Sequence, residues 1–172
     1  MSEKSRKQMA DKQAGLKTKA KEARNPNQEF IDSIYRMPNE PESYAFPAQA
    51  FKQSMVGSCR LIDGIKMTEA RILFFVFGES SPEWVRITAD KPIMRTDTVT
   101  IGQGTTDLRY RPQFDNWSAE LVISFLENAI GHEDIRRLLL MSGAHVGIGE
   151  WRAEKSGNTF GSFEIVSFEE IV

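Results

Sequence analysis

The sequence predicts a mixed α+β domain built on an antiparallel sheet with helices on one face. Three observations carry this prediction: a helix that begins at Phe46-Pro47, a continuous apolar strand at 70–78, and a second half in the order strand, helix, glycine-rich loop, strand. This order is typical of a split β-α-β, ferredoxin-like arrangement. Nothing before residue 46 has a clear strand pattern, so we expect the first strand of the arrangement to be missing.

Length and composition favour one domain preceded by an extension. The chain has 172 residues, of which 40% are hydrophobic and 27% charged, as in ordinary globular proteins. Its single cysteine, Cys59, excludes an internal disulfide framework. No apolar run reaches 18 residues and the N-terminus lacks the apolar segment of a secretory signal. We therefore expect the protein to stay in the cytoplasm of the cell in which it is made, without a membrane partner.

The first 24 residues are strongly basic. They contain eight lysines and arginines and three acidic residues, a net charge of +5, which leaves −7 for the rest of a chain whose net charge is −2. A basic arm on an acidic body is typical of proteins that meet phosphate or an acidic partner. A solvated helix or a disordered tail is the ordinary alternative. We expect a helical or disordered arm over 1–24 and a single α+β domain over 25–172.

The helix at Phe46-Pro47 has the most regular pattern, because proline at the first helical position has no hydrogen-bond donor to lose. Apolar residues at i, i+4, i+8 and i+11 predict one buried stripe: Phe51, Met55, Cys59 and Ile62. Polar or small residues fall towards the other faces: Lys52, Gln53, Gly57 and Arg60. Asp63-Gly64 ends the helix in a turn.

The remaining elements follow from alternation and turn residues. The apolar run at 70–78 predicts a buried strand, and 84–88 and 93–101 predict shorter, polar-alternating strands. Segments 108–111 and 117–125 predict a hairpin around 112–116. A second helix begins at Gly131 and is expected to end at Gly143; its core residues are Ile135, Leu138, Leu139 and Ser142. A glycine-rich loop at 149–161 then leads to a last strand at 162–168.

Catalytic and metal-binding patterns are absent from the sequence. The two histidines, His132 and His145, do not have the spacing of a zinc site, and Cys59 lies on the apolar stripe of its helix. Neither a GxSxG motif nor a Walker loop occurs. These observations favour a non-catalytic protein without a metal or cofactor.

Two stretches carry the pattern of nucleic-acid binding. Arg109 and Arg111 share one face of a strand, about 7 Å apart, a spacing that matches successive phosphates. Arg95 precedes them and Trp117 follows, so that cations for a backbone alternate with rings for bases. The alternative is a solvated arginine face with Tyr110 and Trp117 in the core.

The second stretch is the loop at 147–161, in which four glycines free the backbone for close approach to a ligand. It also carries two aromatic rings and two cations: Trp151, Phe160, Arg152 and Lys155. The alternative is a long structural excursion whose rings fill the edge of the core. A loop of this length is typical of a functional segment.

Segments 44–52, 61–70, 106–114 with Trp117, and 147–152 with 160–163 resemble a family of uncharacterised phage and prophage proteins. The resemblance covers nearly the whole chain and implies a phage-encoded protein. It also implies an apolar strand before Ser2, where this chain begins. A partner chain could supply such a strand by strand addition, and an exposed edge could form a homo-oligomer.

More remotely, the helix at 46–60 and the loop at 147–163 resemble the repeat-associated, RRM-like superfamily of CRISPR backbone subunits. The resemblance implies that Lys52, Arg60, Arg152 and Lys155 line a nucleic-acid path. The chain departs from the superfamily pattern at Gln53, where a glycine is usual.

These patterns together predict a phage-encoded, non-catalytic protein that binds single-stranded DNA or RNA through a basic and aromatic sheet face and the glycine-rich loop. The expected binding residues are Lys52, Arg60, Arg95, Arg109, Arg111, Trp151, Arg152 and Lys155. The alternatives are a protein–protein inhibitor or accessory factor that acts on a host defence complex, with a host or phage protein as partner, and a structural part of the virion.

Overall fold

The computed structural model describes residues 10–11, 13–14, 23–102 and 104–171. Most of the predicted basic arm over 1–24 therefore lies outside the described residues. From residue 23 onwards, the α-helices of the described residues are α1 (Pro26–Ser33), α2 (Ala48–Ser58), α3 (Met67–Leu73), α4 (His132–Met141) and α5 (Ala153–Ser156). The strands are β1 (Arg36–Met37), β2 (Glu40–Pro47), β3 (Phe74–Gly78), β4 (Trp84–Thr88), β5 (Ile93–Ile101), β6 (Thr105–Gln113), β7 (Ser118–Ala119) and β8 (Leu121–Phe125).

The mixed α+β class is confirmed, and the strands pair antiparallel in each sheet. One sheet has the order β1-β2-β4-β7, β3 pairs with β8, and β5 pairs with β6. Helices and antiparallel strands in this combination are consistent with the ferredoxin-like expectation. No helix within the described ranges combines the length and the apolar character needed to cross a bilayer.

Residues 25–172, expected as one domain, group in the structure into two compact units. The first unit takes the described residues of Met1–Tyr35 together with Ala89–Trp117, and it consists of α1 and the β5–β6 hairpin. The second unit takes Arg36–Thr88 with the described residues of Ser118–Val172, and it contains all the other elements.

The first unit is a hairpin of two nine-residue strands, β5 and β6, with α1 packed against β6. Asn25 caps α1, since its side chain accepts a hydrogen bond from the Gln28 amide at 3.2 Å, and Pro26 occupies the first turn. Gly102 and Gly104 allow the tight connection between β5 and β6, because both have φ in the left-handed region, +62° and +88°. This pairing corrects the predicted hairpin around 112–116.

That prediction failed because segment 117–125 contributes to two different sheets. Ser118–Ala119 pairs with β4, whereas Leu121–Phe125 pairs with β3. Residues 108–111 instead lie inside the longer β6, whose alternation continues from Thr105 to Gln113. The alternation of polar and apolar residues indicates which side chains share a face of a strand, but it does not indicate with which other strand that strand pairs.

A strand that the sequence did not reveal fills the position before α2. Glu40–Pro47 forms β2 and pairs with β4, with Tyr44 opposite Ile87 and Phe46 opposite Val85. The expectation that the first strand is missing was therefore wrong. Two prolines and two glutamates obscured the pattern, but proline at the last position of a strand removes no ladder bond that the strand needs.

The four residues of the predicted stripe are all in the core, but α2 ends earlier than predicted. Phe51 and Met55 lie on α2, Cys59 lies in the 3-10 turn that follows it, and Ile62 is extended. The helix α2 packs against β3, whose Phe74 and Val76 are also buried. The predicted strand at 70–78 is corrected in its first half: residues 70–73 continue α3, and the strand begins at Phe74. A short apolar run does not by itself distinguish the two structures.

The second predicted helix is confirmed as α4, with Ile135, Leu138, Leu139 and Ser142 buried. Its predicted end at Gly143 was wrong, because a π-helical turn continues over Ser142–Val146 and ends at Gly147, which has φ +73°. Gly143 is needed for space, since a Cβ there would stand 2.1 Å from the Phe163 carbonyl oxygen. The predicted strand at 162–168 is not formed in the structure.

Candidate functional site

A groove in the second unit brings together three of the predicted binding residues. It lies between the outer face of α2, with the turn that follows it, and the glycine-rich loop, and it encloses about 310 Å³. Arg60 lines it from the first side, and Arg152 and Lys155 line it from the second. Gln53 and Gly57 on α2 form part of its wall. We call this feature the basic groove.

The loop reaches this position because its ends close on each other. Ile148 donates its amide hydrogen to the Gly161 carbonyl at 3.0 Å. A Cβ at Gly161 would lie 1.8 Å from the Ile148 carbonyl oxygen, and Gly161 also has φ +70°. Only glycine fits there. Between these ends, α5 begins after Arg152 and ends at Gly157, also with φ +70°.

Glu154 lies between two of the cations of the basic groove. Its carboxylate accepts hydrogen bonds from the Arg60 guanidinium and, through the other oxygen, from Arg152 at 3.1–3.2 Å. Burial works to raise the pKa of Glu154, but the hydrogen bonds and charges of the two arginines outweigh it and hold the pKa below its usual range. Glu154 is therefore ionised and occupies a position that an incoming anion would contest.

The charge of the basic groove remains positive after this pairing. Its lining carries three cations and one carboxylate, a formal charge of +2. Lys155 is exposed, and among the described residues its ammonium group has no carboxylate within salt-bridge distance. Arg152 donates a further hydrogen bond to the Gly149 carbonyl at 3.1 Å, which orients its guanidinium. The arrangement can hold an anion.

Aromatic rings flank these cations in the chain. Trp151, directly before Arg152, is half-buried and has φ +60°, unusual for a residue other than glycine. The Ser156 hydroxyl donates to the Trp151 carbonyl at 2.7 Å and fixes this turn. Phe160 is exposed and forms an isolated bridge with Arg152. Along the sequence, Arg152 therefore has one aromatic residue before it, Trp151, and one after it, Phe160.

Lys52 is not part of the basic groove. It is buried, its ammonium group donates to the Arg71 carbonyl at 2.8 Å, and it lies 3.9 Å from the centre of the Phe75 ring. Burial lowers the pKa of Lys52. The prediction that Lys52 and Gly57 point away from the core was wrong, because α2 is packed on more than its apolar stripe.

The three predicted arginines of the first unit share one face of its hairpin. Arg95 lies opposite Arg111, and Arg109 lies opposite Asp97, as the same-face prediction requires. All three are half-buried. Arg95 donates to Asp97 at 2.9 and 3.1 Å, and Arg111 donates to the Tyr110 carbonyl at 3.0 Å. This face is therefore engaged within its own unit.

Arg24 adds to the same network of the first unit. It forms hydrogen bonds with Glu29 at 2.6 Å, with the Leu108 carbonyl at 2.6 Å and with Asp107. The hydrogen bond from Arg24 holds the pKa of Glu29 below its usual range. The carboxylates compensate much of the positive charge, so the basic groove is the better candidate for an anion.

Sequence reasoning missed two features of the second unit. Phe75 and Phe77 stack at 6.5 Å with 22° between their planes on the exposed side of β3, and Phe75 is 47% exposed. Residues two positions apart in a strand lie on the same face, so the sequence did contain this information. It was not recognised, because every residue around the two phenylalanines is also apolar. Glu154 was missed because a single acid beside basic residues has no signature in sequence.

Comparisons with known proteins assign no relative to this chain: no protein-family model matches it, and neither a curated protein nor a solved structure is significantly similar.

Proposed function

We propose that this chain is a phage-encoded, non-catalytic protein that acts in the host cytoplasm, and that its second unit binds single-stranded nucleic acid at the basic groove. The observation that carries the proposal is the convergence of Arg60, Arg152 and Lys155 on one groove from separate parts of the chain. A net positive lining attracts a polyanion, and its cationic side chains displace the counterions that are condensed on the phosphates.

The glycine-rich loop supports a nucleic acid over a small anion. Trp151 is next to Arg152 in the chain, and Phe160 is bridged to it. Rings beside cations suit a strand whose bases are unpaired, because every base presents a face for stacking. Binding of this kind has little sequence preference and depends strongly on salt.

The test is fluorescence anisotropy of labelled dT and rU 20-mers with the full chain over a range of salt concentrations. Arg60→Gln combined with Lys155→Gln removes two cations of the basic groove and is expected to weaken binding about tenfold at low salt. The slope of log K against log salt should become shallower by about 1.4, since each phosphate contact on a single strand contributes about 0.7.

Arg136→Gln combined with Arg137→Gln is the matched control. It removes the same charge from the exposed side of α4, outside the lining of the basic groove. It is expected to leave affinity within about twofold, since its charges contribute only through the screened overall field. Equal weakening by both double variants, or absence of binding at low salt, would contradict the proposal.

Exposed apolar side chains favour a second candidate function, a protein-binding factor directed at a host complex. Ile72 is 73% exposed on α3, close in sequence to the exposed Phe75. Single exposed apolar residues are ordinary, whereas several that are exposed within a short stretch of the chain offer apolar area to a partner. A host protein retained after nuclease treatment, and lost with Ile72→Asp but not with Arg60→Gln/Lys155→Gln, would favour this candidate.

A further inference from the structure

Three side chains from two separate segments of the second unit meet outside the basic groove. Glu127 follows β8, His132 is the first residue of α4, and Glu170 belongs to the C-terminal segment. One potential ligand atom from each lies within 4.8 Å of the others. We call this group the His132 cluster. Sequence spacing did not predict it, because Glu170 is 38 residues beyond His132.

The imidazole of the His132 cluster is held in a defined orientation. The ring stands edge-on to Phe125, with a centre-to-centre distance of 4.9 Å and an interplanar angle of 89°. Its Nε2 lies 3.3 Å from a carboxylate oxygen of Glu170. Ligand atoms on one tetrahedral metal ion, with bonds of about 2.0–2.2 Å, are separated by about 3.4 Å. The His132–Glu170 pair already has this separation.

The charge of the His132 cluster points to a cation. It places two carboxylates near one another, and in the described part of the chain neither has a salt bridge to an arginine or lysine. The acidic residues of the same helical turn add to the negative charge, although Arg136 lies 3.8 Å from Glu133. Like charges in this proximity are stabilised by a shared positive ion.

We propose that Glu127, His132 and Glu170 bind a divalent transition-metal ion of the zinc class. An imidazole nitrogen with two carboxylates suits Zn²⁺ or Co²⁺, whereas Mg²⁺ and Ca²⁺ prefer oxygen ligands alone. Three protein ligands leave a coordination position for water. The exposed glutamates need small rotations about their side-chain bonds to complete the coordination.

The ion would fasten the C-terminal segment to the start of α4. Residues 162–171 form no helix or strand in the structure, and Val166 is 99% exposed. Glu170 is the ligand that this segment contributes. Metal binding would restrain this segment around Glu170, and its protection from hydrogen–deuterium exchange reports occupancy independently of any oligonucleotide.

The test is isothermal titration calorimetry of the chelator-treated full chain with ZnCl₂, and with MgCl₂ for selectivity. One equivalent of Zn²⁺ is expected to bind and to reduce hydrogen–deuterium exchange at the C-terminal segment. His132→Ala is expected to abolish both effects. The matched control is His145→Ala, which removes the other histidine, exposed in the π-helical turn and outside the His132 cluster.

Glu170→Gln provides a variant without risk to folding, because the Glu170 side chain is 61% exposed. It is expected to weaken Zn²⁺ binding at least about tenfold while the circular dichroism spectrum stays unchanged. Absence of Zn²⁺ binding, equal binding by the His132→Ala and His145→Ala variants, or unchanged affinity in Glu170→Gln would overturn the proposal.

Discussion

At the scale of single residues, the basic groove is an arrangement of cations around one carboxylate. Glu154 orders Arg60 and Arg152 by accepting from both, and it also reduces the charge that an incoming phosphate meets. Exposed pairs of this kind contribute about 0–1 kcal/mol to stability. Glu154 should therefore affect binding more than folding.

Glu154→Gln is predicted to raise affinity for a single-stranded 20-mer about fivefold. Removing one unit of repulsion at about 4 Å in water changes the binding free energy by about 1 kcal/mol, a factor of about five in Kd. Anisotropy at low salt measures the change, with Glu164→Gln as a charge-matched control outside the groove lining. Weaker binding in Glu154→Gln would show that the carboxylate positions the arginines more than it repels phosphate.

At the scale of elements, β2 is joined to β4 by an ion pair as well as by backbone hydrogen bonds. Arg86 on β4 donates to both oxygens of Glu40 at 2.6 and 2.7 Å, and Ser43 donates to the same carboxylate at 3.0 Å. The hydrogen bond from Arg86, supported by that from Ser43, lowers the pKa of Glu40 to about 2.

The Glu40 pair predicts a defined pH dependence of stability. Because the folded-state pKa is the lower one, the stabilisation is present above the ordinary glutamate pKa of about 4.5 and is lost as the pH falls towards 2. The difference in Tm between the wild type and Glu40→Gln should therefore be constant above about pH 5 and shrink below it. A difference that grows on acidification would contradict this assignment.

The backbone conformation of the glycine-rich loop depends on glycine at position 161 more than at position 157. Gly161→Ala adds a Cβ that collides with the Ile148 carbonyl and also strains a backbone with φ +70°. Gly157→Ala has the same φ, but no atom lies within 4 Å of its Cβ position, so it isolates the backbone strain. Strain alone costs about 1–3 kcal/mol.

Gly161→Ala is predicted to lower the free energy of unfolding by at least about 2 kcal/mol more than Gly157→Ala, as measured by urea denaturation. It should also weaken oligonucleotide binding, since the loop positions Arg152 and Lys155. Equal destabilisation by the two variants would mean that the close approach to Ile148 is relieved without cost.

The sequence predicted elements well where periodicity was regular, as in the Phe51–Met55–Cys59–Ile62 stripe and in β4 and β5. It failed where partner choice mattered: the alternation of 117–125 did not show that β7 and β8 join different sheets. In the candidate site, the loop at 147–161 could be recognised from the sequence by its glycines and its basic residues. Glu154 and the burial of Lys52 depend on tertiary packing, for which one sequence has no local pattern.

At the scale of the whole molecule, residues 89–117 of the first unit are inserted between β4 and β7 of the second unit. Thr88, the last residue of β4, lies opposite Ser118, the first residue of β7, in an antiparallel pair. The chain leaves the second unit at one of these residues and returns at the other. A two-residue turn can join strands in this register.

Replacing residues 89–117 with Asn-Gly is therefore predicted to leave the second unit folded, because its buried core contains no residue from that insertion. The shortened chain should unfold cooperatively in urea. It should also bind a single-stranded 20-mer within about threefold of the full chain, since the basic groove is lined entirely by the second unit. Folding with loss of binding would instead assign nucleic-acid recognition to the hairpin arginines, Arg95, Arg109 and Arg111.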